Sequence, residues 1–382
     1  MLLEKKSSHQ GALKSGRYVS FFSSHLQHSI IFLHPMIRRT FSSSATRKPV
    51  ALFLNCSRLD YDRQLDFSKL SELVDFRRND QDYVTDPKEI HDLITHSQAE
   101  IVITKEMLVP KESLEAFPPS VKLLCEAGTG YNNIPIPTAQ AKGITVCNVP
   151  TYSTDAVAHM AITYIMNLSI GMFEQQAMLQ RGDRSNFTGP FTLPLMELTD
   201  KTLGLVGGRG KIGSKVADIA LALGMNIIIS SRSGTLSDDH RHANNPRVRC
   251  VSHVDDLLEE SDFVSLHTPL NDQTRGTFGR SQLSKMKPTA FLINTSRGAV
   301  CNEPELIECL KEGMIAGAGL DVTATEPPSM ESEIWNLPNV YLSPHIGWRR
   351  IETRQRLVDM TCDNIKAYCN AKSSDDYINV VS

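Results

Sequence analysis

The stretch Thr202–Ser230, TLGLVGGRGKIGSKVADIALALGMNIIIS, decides the fold. An apolar run ends in glycines, a helical pattern follows, and a second apolar run rich in isoleucine closes the unit. That is the strand, turn, helix and strand of one βαβ crossover. Within the turn, Gly208-Arg209-Gly210-Lys211-Ile212-Gly213 reads GxGxxG between a strand and a helix. The first glycine permits the tight turn, the second lets backbone approach a pyrophosphate, and the third allows close helix–strand packing. The helix start then offers unpaired N–H groups and its positive dipole end to phosphates. A dinucleotide is the expected ligand of this loop.

The residue that ends the second strand selects between cofactors. An acid there would bind both ribose hydroxyls of NAD. Here the position is Ser231, followed by Arg232 and Ser233. Two hydroxyls and a guanidinium suit a 2′-phosphate, so NADP is expected over NAD. The plainer reading leaves Arg232 solvated and NAD bound through other contacts.

The pattern of this unit extends in both directions. Downstream, RVRCVSHV, DFVSLHTP, AFLINTS, AGAGLDV and VYLSPH are apolar runs separated by helical segments such as EPELIECLKEG. Continuous apolar runs fit parallel strands covered on both faces. Upstream, PVALFLN, EIVIT, VKLLCEAG and ITVCNV repeat the plan. Between the two series, DAVAHMAITYIMNLSIGMFEQQAMLQRG reads as one long helix joining two domains. The fold class is therefore α/β, with two doubly wound parallel-sheet domains. A substrate domain is expected over 49–150, completed by 345–382, with a nucleotide domain inserted over 151–344.

Composition sets the broad limits. At 382 residues the chain can bury two cores, and a formal charge of −3 leaves no basic footprint for nucleic acid. No apolar run is long enough to span a bilayer, so no membrane partner is expected. The eight cysteines form no CxxC or Cys/His cluster, so no metal site is expected. The first 48 residues hold eight Lys or Arg against the single acid Glu4. RRTFSSSATRK (38–48) is Arg-rich and Ser-rich, the character of an organelle presequence. A mitochondrial matrix location follows, with a disordered tail and a cytoplasmic protein as the alternative.

Three charged positions lie downstream of the loop: Arg297 in NTSRG, Glu326 in TEPP and His345 in SPHIGW. A cation, a carboxylate and an imidazole are what reduction of a carbonyl requires. Singly, Arg297 could cap a strand, Glu326 could be a loop acid before two prolines, and His345 could be a packed core residue.

Taken together, TGYNN, GITVCNVPTYSTDAVA, GRGKIG, LHTPL, LINTSRGAV, AGLDV, TEPP, PHIGW and ETRQRLV resemble the D-isomer-specific 2-hydroxyacid dehydrogenases over residues 50–382. The glycerate dehydrogenase/hydroxypyruvate reductase branch is the nearest match. The resemblance implies NAD(P)H-dependent reduction of hydroxypyruvate or glyoxylate to the D-2-hydroxy acid, by a homodimer whose domains close over the site. It assigns Arg297 to the substrate carboxylate or ketone and His345 to proton donation. It sets Glu326 beside His345 as the partner expected to steady the imidazolium. It places backbone N–H groups of Thr129 and Gly130 on the substrate carboxylate. Asp321 and Thr295 fall at the nicotinamide end, and His267 and Pro269 on the adenine side. Three positions depart from the family pattern: the additional Gly207, Pro135 and His159. The last two are expected to bear on substrate preference. A short-type phosphoglycerate dehydrogenase shares the trio, and with the short segment after His345 a regulatory C-terminal domain is not expected. A non-catalytic NAD(P) sensor on the same fold is the other alternative.

Overall fold

A computed structural model describes residues 47–193 and 195–381. The presequence reading of residues 1–48 therefore falls almost wholly outside the described residues.

Five parallel strands form the first sheet: β1 Val50–Phe53, β2 Asp75–Arg78, β3 Ile101–Thr104, β4 Leu123–Glu126 and β5 Thr145–Cys147. Their order is β2-β1-β3-β4-β5, the flavodoxin-like arrangement. Seven parallel strands form the second: β6 Thr202–Val206, β7 Asn226–Ser230, β8 Val248–Val251, β9 Phe263–Leu266, β10 Phe291–Asn294, β11 Gly317–Leu320 and β12 Val340–Leu342. Their order, β12-β11-β10-β9-β6-β7-β8, is a Rossmann sheet with one further strand. The two-sheet α/β class expected from the alternating pattern is what the chain adopts.

Both sheets are covered on both faces, which explains the unbroken apolar runs. Ala51 and Phe53 of β1 enter one core cluster, and Leu52 with Leu54 enters the opposite one. In the second sheet Phe291 and Ile293 of β10 face one cluster while Leu292 faces the other. Each fully buried Leu, Ile or Phe contributes about 1.5–3 kcal/mol, so a half-polar strand could not replace these runs. Strand β2 differs. Its DFRR is an edge strand with alternately exposed residues, held by pairing to β1 rather than by burial.

The long helix expected after Asn148 is in fact two, Thr154–Ile170 and Met172–Gln180, bent by 62°. Gly171 makes the break at φ +58°, in the left-handed region where glycine carries no Cβ penalty. Its N–H caps the first helix on the Asn167 carbonyl. Among the described residues no single helix is long and apolar enough to cross a membrane, although the two parts of this bent pair together have the length and composition.

The first of these helices packs on the second sheet: Tyr164 Oη donates to the Leu320 carbonyl at 2.9 Å. The last helix, Ile351–Asn370, returns to the first sheet's side. There Arg354, buried, makes a bidentate pair with Asp62 at 2.9 and 2.6 Å, and Asn364 donates to the Asn148 carbonyl at 2.9 Å. Beyond it, the Val381 N–H bonds the Val146 carbonyl at 2.9 Å, adding the tail to the edge at β5. The chain thus crosses between the sheets twice, near 148–154 and near 343–351. The carboxyl ends of β3, β4, β9, β10 and β11 lead into the loops that meet between the crossings.

Candidate active site

A cavity of about 410 Å³ lies where these loops converge. Arg297, His345, Thr129, Gly130, Thr295, Asp321, His267, Pro269 and Ile212 all line it. Glu326 stands behind His345, lining an adjoining cavity. Gly208, Arg209, Gly210, Lys211, Gly213 and Ser231 to Ser233 are not in its wall. They sit at the ends of β6 and β7 and at the start of the Lys211–Ala222 helix. Pro135 begins the Ile136–Ala141 helix and His159 is exposed on the Thr154–Ile170 helix, and neither lines the cavity.

His345 reaches the cavity through a strained turn. Its φ is +51°, a conformation that non-glycine residues adopt only when their surroundings impose it. Asp321, buried at the end of β11, imposes it. Its carboxylate accepts from the N–H groups of Ile346 and Gly347 at 2.9 Å and from the Ser343 hydroxyl. Its backbone carbonyl accepts from the His345 N–H at 2.9 Å. Burial pushes the Asp321 carboxyl up, and these donors oppose that shift. Glu326 then fixes the ring: Oε2 is 2.8 Å from His345 Nδ1. With Nδ1 engaged, Nε2 is the nitrogen left for the cavity.

Arg297 follows β10, its backbone carbonyl held by Asn294 Nδ2 at 2.9 Å and its own Nη1 on the Ser296 carbonyl at 2.8 Å. Its guanidinium lies against Gly130, where a Cβ would fall 1.9 Å from Nη2. A residue of the second sheet thus touches the loop of the first because position 130 has no side chain. Among the described residues, no acceptor meets the N–H of Thr129 or of Gly130, which leaves both for an anion.

The residues present fit a dinucleotide. Gly213 is pressed on Gly208, where a Cβ would lie 2.6 Å from the Gly208 Cα. Thr295 Oγ1 and Thr268 Oγ1, in residues lining the cavity, are buried without a hydrogen-bond partner among the described residues. The tight turn itself falls on the additional glycine, Gly207, at φ +82° with the His267 carbonyl 2.6 Å from where a Cβ would be. Gly208 is instead the buried residue beneath Gly213, so the turn sits one position earlier than the motif implies. Loss of water holds the His267 ring down at about 4, and its Nε2 pairs with the Ser265 hydroxyl at 2.9 Å.

Sequence reasoning missed a second group of lining residues: Glu106, Tyr152 and Trp348, with Lys105 buried beneath them. Glu106 Oε1 is 3.9 Å from His345 Nε2 and 2.8 Å from Lys105 Nζ, which also sits 3.9 Å over the Trp348 ring. The available signal was position. Lys105-Glu106 directly follows the apolar run IVIT, at the carboxyl end of a parallel strand, where α/β sheets bind ligands.

Comparison with known proteins finds relatives along most of the chain. A family model described as the NAD binding domain of D-isomer specific 2-hydroxyacid dehydrogenases matches residues 162–347. A hydroxypyruvate reductase of Blautia hydrogenotrophica is 33% identical over 308 residues, 80% of this chain and 92% of the relative. A glyoxylate reductase of Thermococcus litoralis is 39% identical over 276 residues, 71% of this chain and 80% of the relative. The structure of an NADPH-dependent glyoxylate/hydroxypyruvate reductase of Sinorhizobium meliloti, in complex with NADP and malonate, superposes with a TM-score of 0.71. It is 26% identical and covers 88% of this chain and 97% of that one.

Proposed function

The chain belongs to the D-isomer specific 2-hydroxyacid dehydrogenase family, and from that premise we propose that its cleft reduces hydroxypyruvate or glyoxylate to the D-2-hydroxy acid. It is an NAD(P)-dependent oxidoreductase. The observation that carries the substrate reading is the meeting of Arg297, His345 and the Thr129–Gly130 backbone around one cavity, with Glu326 2.8 Å behind the imidazole.

A bound nicotinamide supplies the hydride. The phosphates belong to residues 208–213 and the helix start, and the nicotinamide end to Thr295 and Asp321, whose carboxylate has one acceptor site beyond its three donors. His267 and Pro269 wall the adenine side. Arg297 holds the substrate carboxylate and draws charge from the ketone through a forked contact. The free N–H groups of Thr129 and Gly130 complete the anion site. His345 Nε2 gives a proton to the carbonyl oxygen, and Glu326 steadies the imidazolium that donates it. In the reverse direction the same nitrogen takes the proton back.

The cofactor reading favours NADP. Arg209 and Arg232 form no ion pair among the described residues. Burial first, then His242 and Arg209, hold the His240 ring below its ordinary value against Asp239, so Arg209 lies near the loop after β7 that carries Arg232. The proposal includes a homodimer, supported by exposed Phe173, Phe187 and Phe191 along one segment. It also includes import of the chain into the mitochondrial matrix, supported by the composition of residues 1–48.

The test is purified protein with hydroxypyruvate, glyoxylate and phosphohydroxypyruvate, each with NADH and NADPH. Turnover of the first two is expected, and the His345→Gln variant should lose about 10²- to 10⁴-fold in kcat with cofactor affinity retained. Near-normal turnover by that variant would reject His345 as the acid. Cofactor binding without oxidation by any oxo acid would leave a sensor instead.

A further inference from the structure

This inference rests on the activity proposed above and concerns the substituent at C3 of its substrate. Glu106 follows β3 with φ +51°, a backbone state that L residues avoid, and its carboxylate lines the cavity. Oε1 lies 2.8 Å from Lys105 Nζ and Oε2 lies 3.2 Å from Arg58 Nη2. The Glu106 N–H donates to Glu126 Oε1 at 2.8 Å, which fixes the turn from below. Burial opposes ionisation of Glu106, yet Lys105, His345 and Arg58 hold its carboxyl well below the usual carboxylate range. From this anchored position Oε1 faces His345 Nε2 at 3.9 Å, too far for a hydrogen bond. The carboxylate and the proton-donating nitrogen therefore border one gap.

We propose that Glu106 determines substrate specificity, accepting a hydrogen bond from the C3 hydroxyl of a 3-hydroxy-2-oxo acid while His345 addresses the adjacent carbonyl. A carboxylate is acceptor-only, so the group it meets must be a donor. Arg58 and Lys105 already balance its charge, which selects a neutral hydroxyl over an ammonium. A methyl at C3 would leave the carboxylate facing an apolar group, and a phosphate there would set acceptor oxygens against an oxygen that can only accept. A partner needed only to neutralise Lys105 would not require a left-handed backbone or a place in the cavity wall. Glu126, also close to Lys105 Nζ, could serve that purpose from below.

The experiment measures kcat/KM for hydroxypyruvate and for pyruvate in the wild-type enzyme and in Glu106→Gln. The ratio of the two substrates cancels any loss common to both. It should fall about 10- to 100-fold in the variant, the size of one charge-assisted hydrogen bond. An unchanged ratio would overturn the assignment while leaving the activity standing. A second arm needs no substitution: wild-type enzyme should prefer hydroxypyruvate over pyruvate and over phosphohydroxypyruvate by at least about tenfold. Parity among the three would overturn it too, and so would faster reduction of 3-amino-2-oxopropanoate than of hydroxypyruvate. No turnover of any oxo acid would remove the activity and this inference together.

Discussion

Gly130 shows how one missing side chain can assemble a site. The Arg297 guanidinium occupies the space a Cβ would need, with Nη2 1.9 Å from that point. The backbone of Gly130 is not in the left-handed region, so alanine there is conformationally acceptable, and the end of a flexible arginine can move aside. Gly130→Ala should therefore leave folding stability within about 0.5 kcal/mol of wild type. It should nevertheless lower kcat/KM about 100-fold, because displacing a positioning group by an ångström has that effect. Urea denaturation beside steady-state kinetics checks both halves, and retained kcat/KM would show that Arg297 is not held through this contact. Arg297, Glu326 and His345, each ambiguous alone, were legible because NTSRG, TEPP and SPHIGW follow the nucleotide loop in an order that resembles a known family. Lys105 and Glu106 were not, since adjacent opposite charges ordinarily read as a solvated pair. Only the packing of Trp348 and Tyr152 over them turns the pair inward.

At the scale of elements, apolar periodicity revealed the strands of the second sheet because its central members are buried on both faces. Strand β2 escaped for the opposite reason: DFRR carries three charges and owes its conformation to hydrogen bonds with β1. The break at Gly171 escaped because a single glycine in a helical pattern can be tolerated or can terminate it, and tertiary packing decides between them. The loop after β7 is where an element's end sets chemistry. Ser231 bonds inward to the Thr235 carbonyl at 3.2 Å, while Arg232 is exposed and without an ion-pair partner among the described residues. An unpaired guanidinium at this point favours a 2′-phosphate over a free ribose hydroxyl. Arg232→Glu should raise KM for NADPH at least about tenfold more than KM for NADH, because a repulsion then stands where a charge-assisted hydrogen bond stood. Equal effects on the two cofactors would remove Arg232 from the selection.

The whole molecule's response to acid gathers contributions of opposite sign. Burial raises the Glu126 and Asp321 carboxyls, so the folded state holds protons there that the unfolded chain releases, and stability grows as pH falls toward their range. His267 works the other way. The folded protein keeps its ring neutral down to about 4, whereas the unfolded chain protonates it near 6.5. Between those values the unfolded state binds more protons, so this ring erodes stability as pH falls from 7, and the erosion levels off below 4. By pH 5 it amounts to about 2 kcal/mol, from 1.36 kcal/mol per pKa unit. His267→Gln removes the titrating group, and the glutamine amide can keep a hydrogen bond to Ser265. The stability lost between pH 7.5 and pH 5, from urea unfolding of cofactor-free protein, should be smaller in the variant by about that amount. The variant-minus-wild-type difference cancels the carboxylates, which titrate in both proteins. Equal losses in the two proteins would mean that the His267 ring takes up its proton in the folded cleft as readily as in the unfolded chain. The ring would then be in contact with water, and the wall it forms with Pro269 on the adenine side would not be dry.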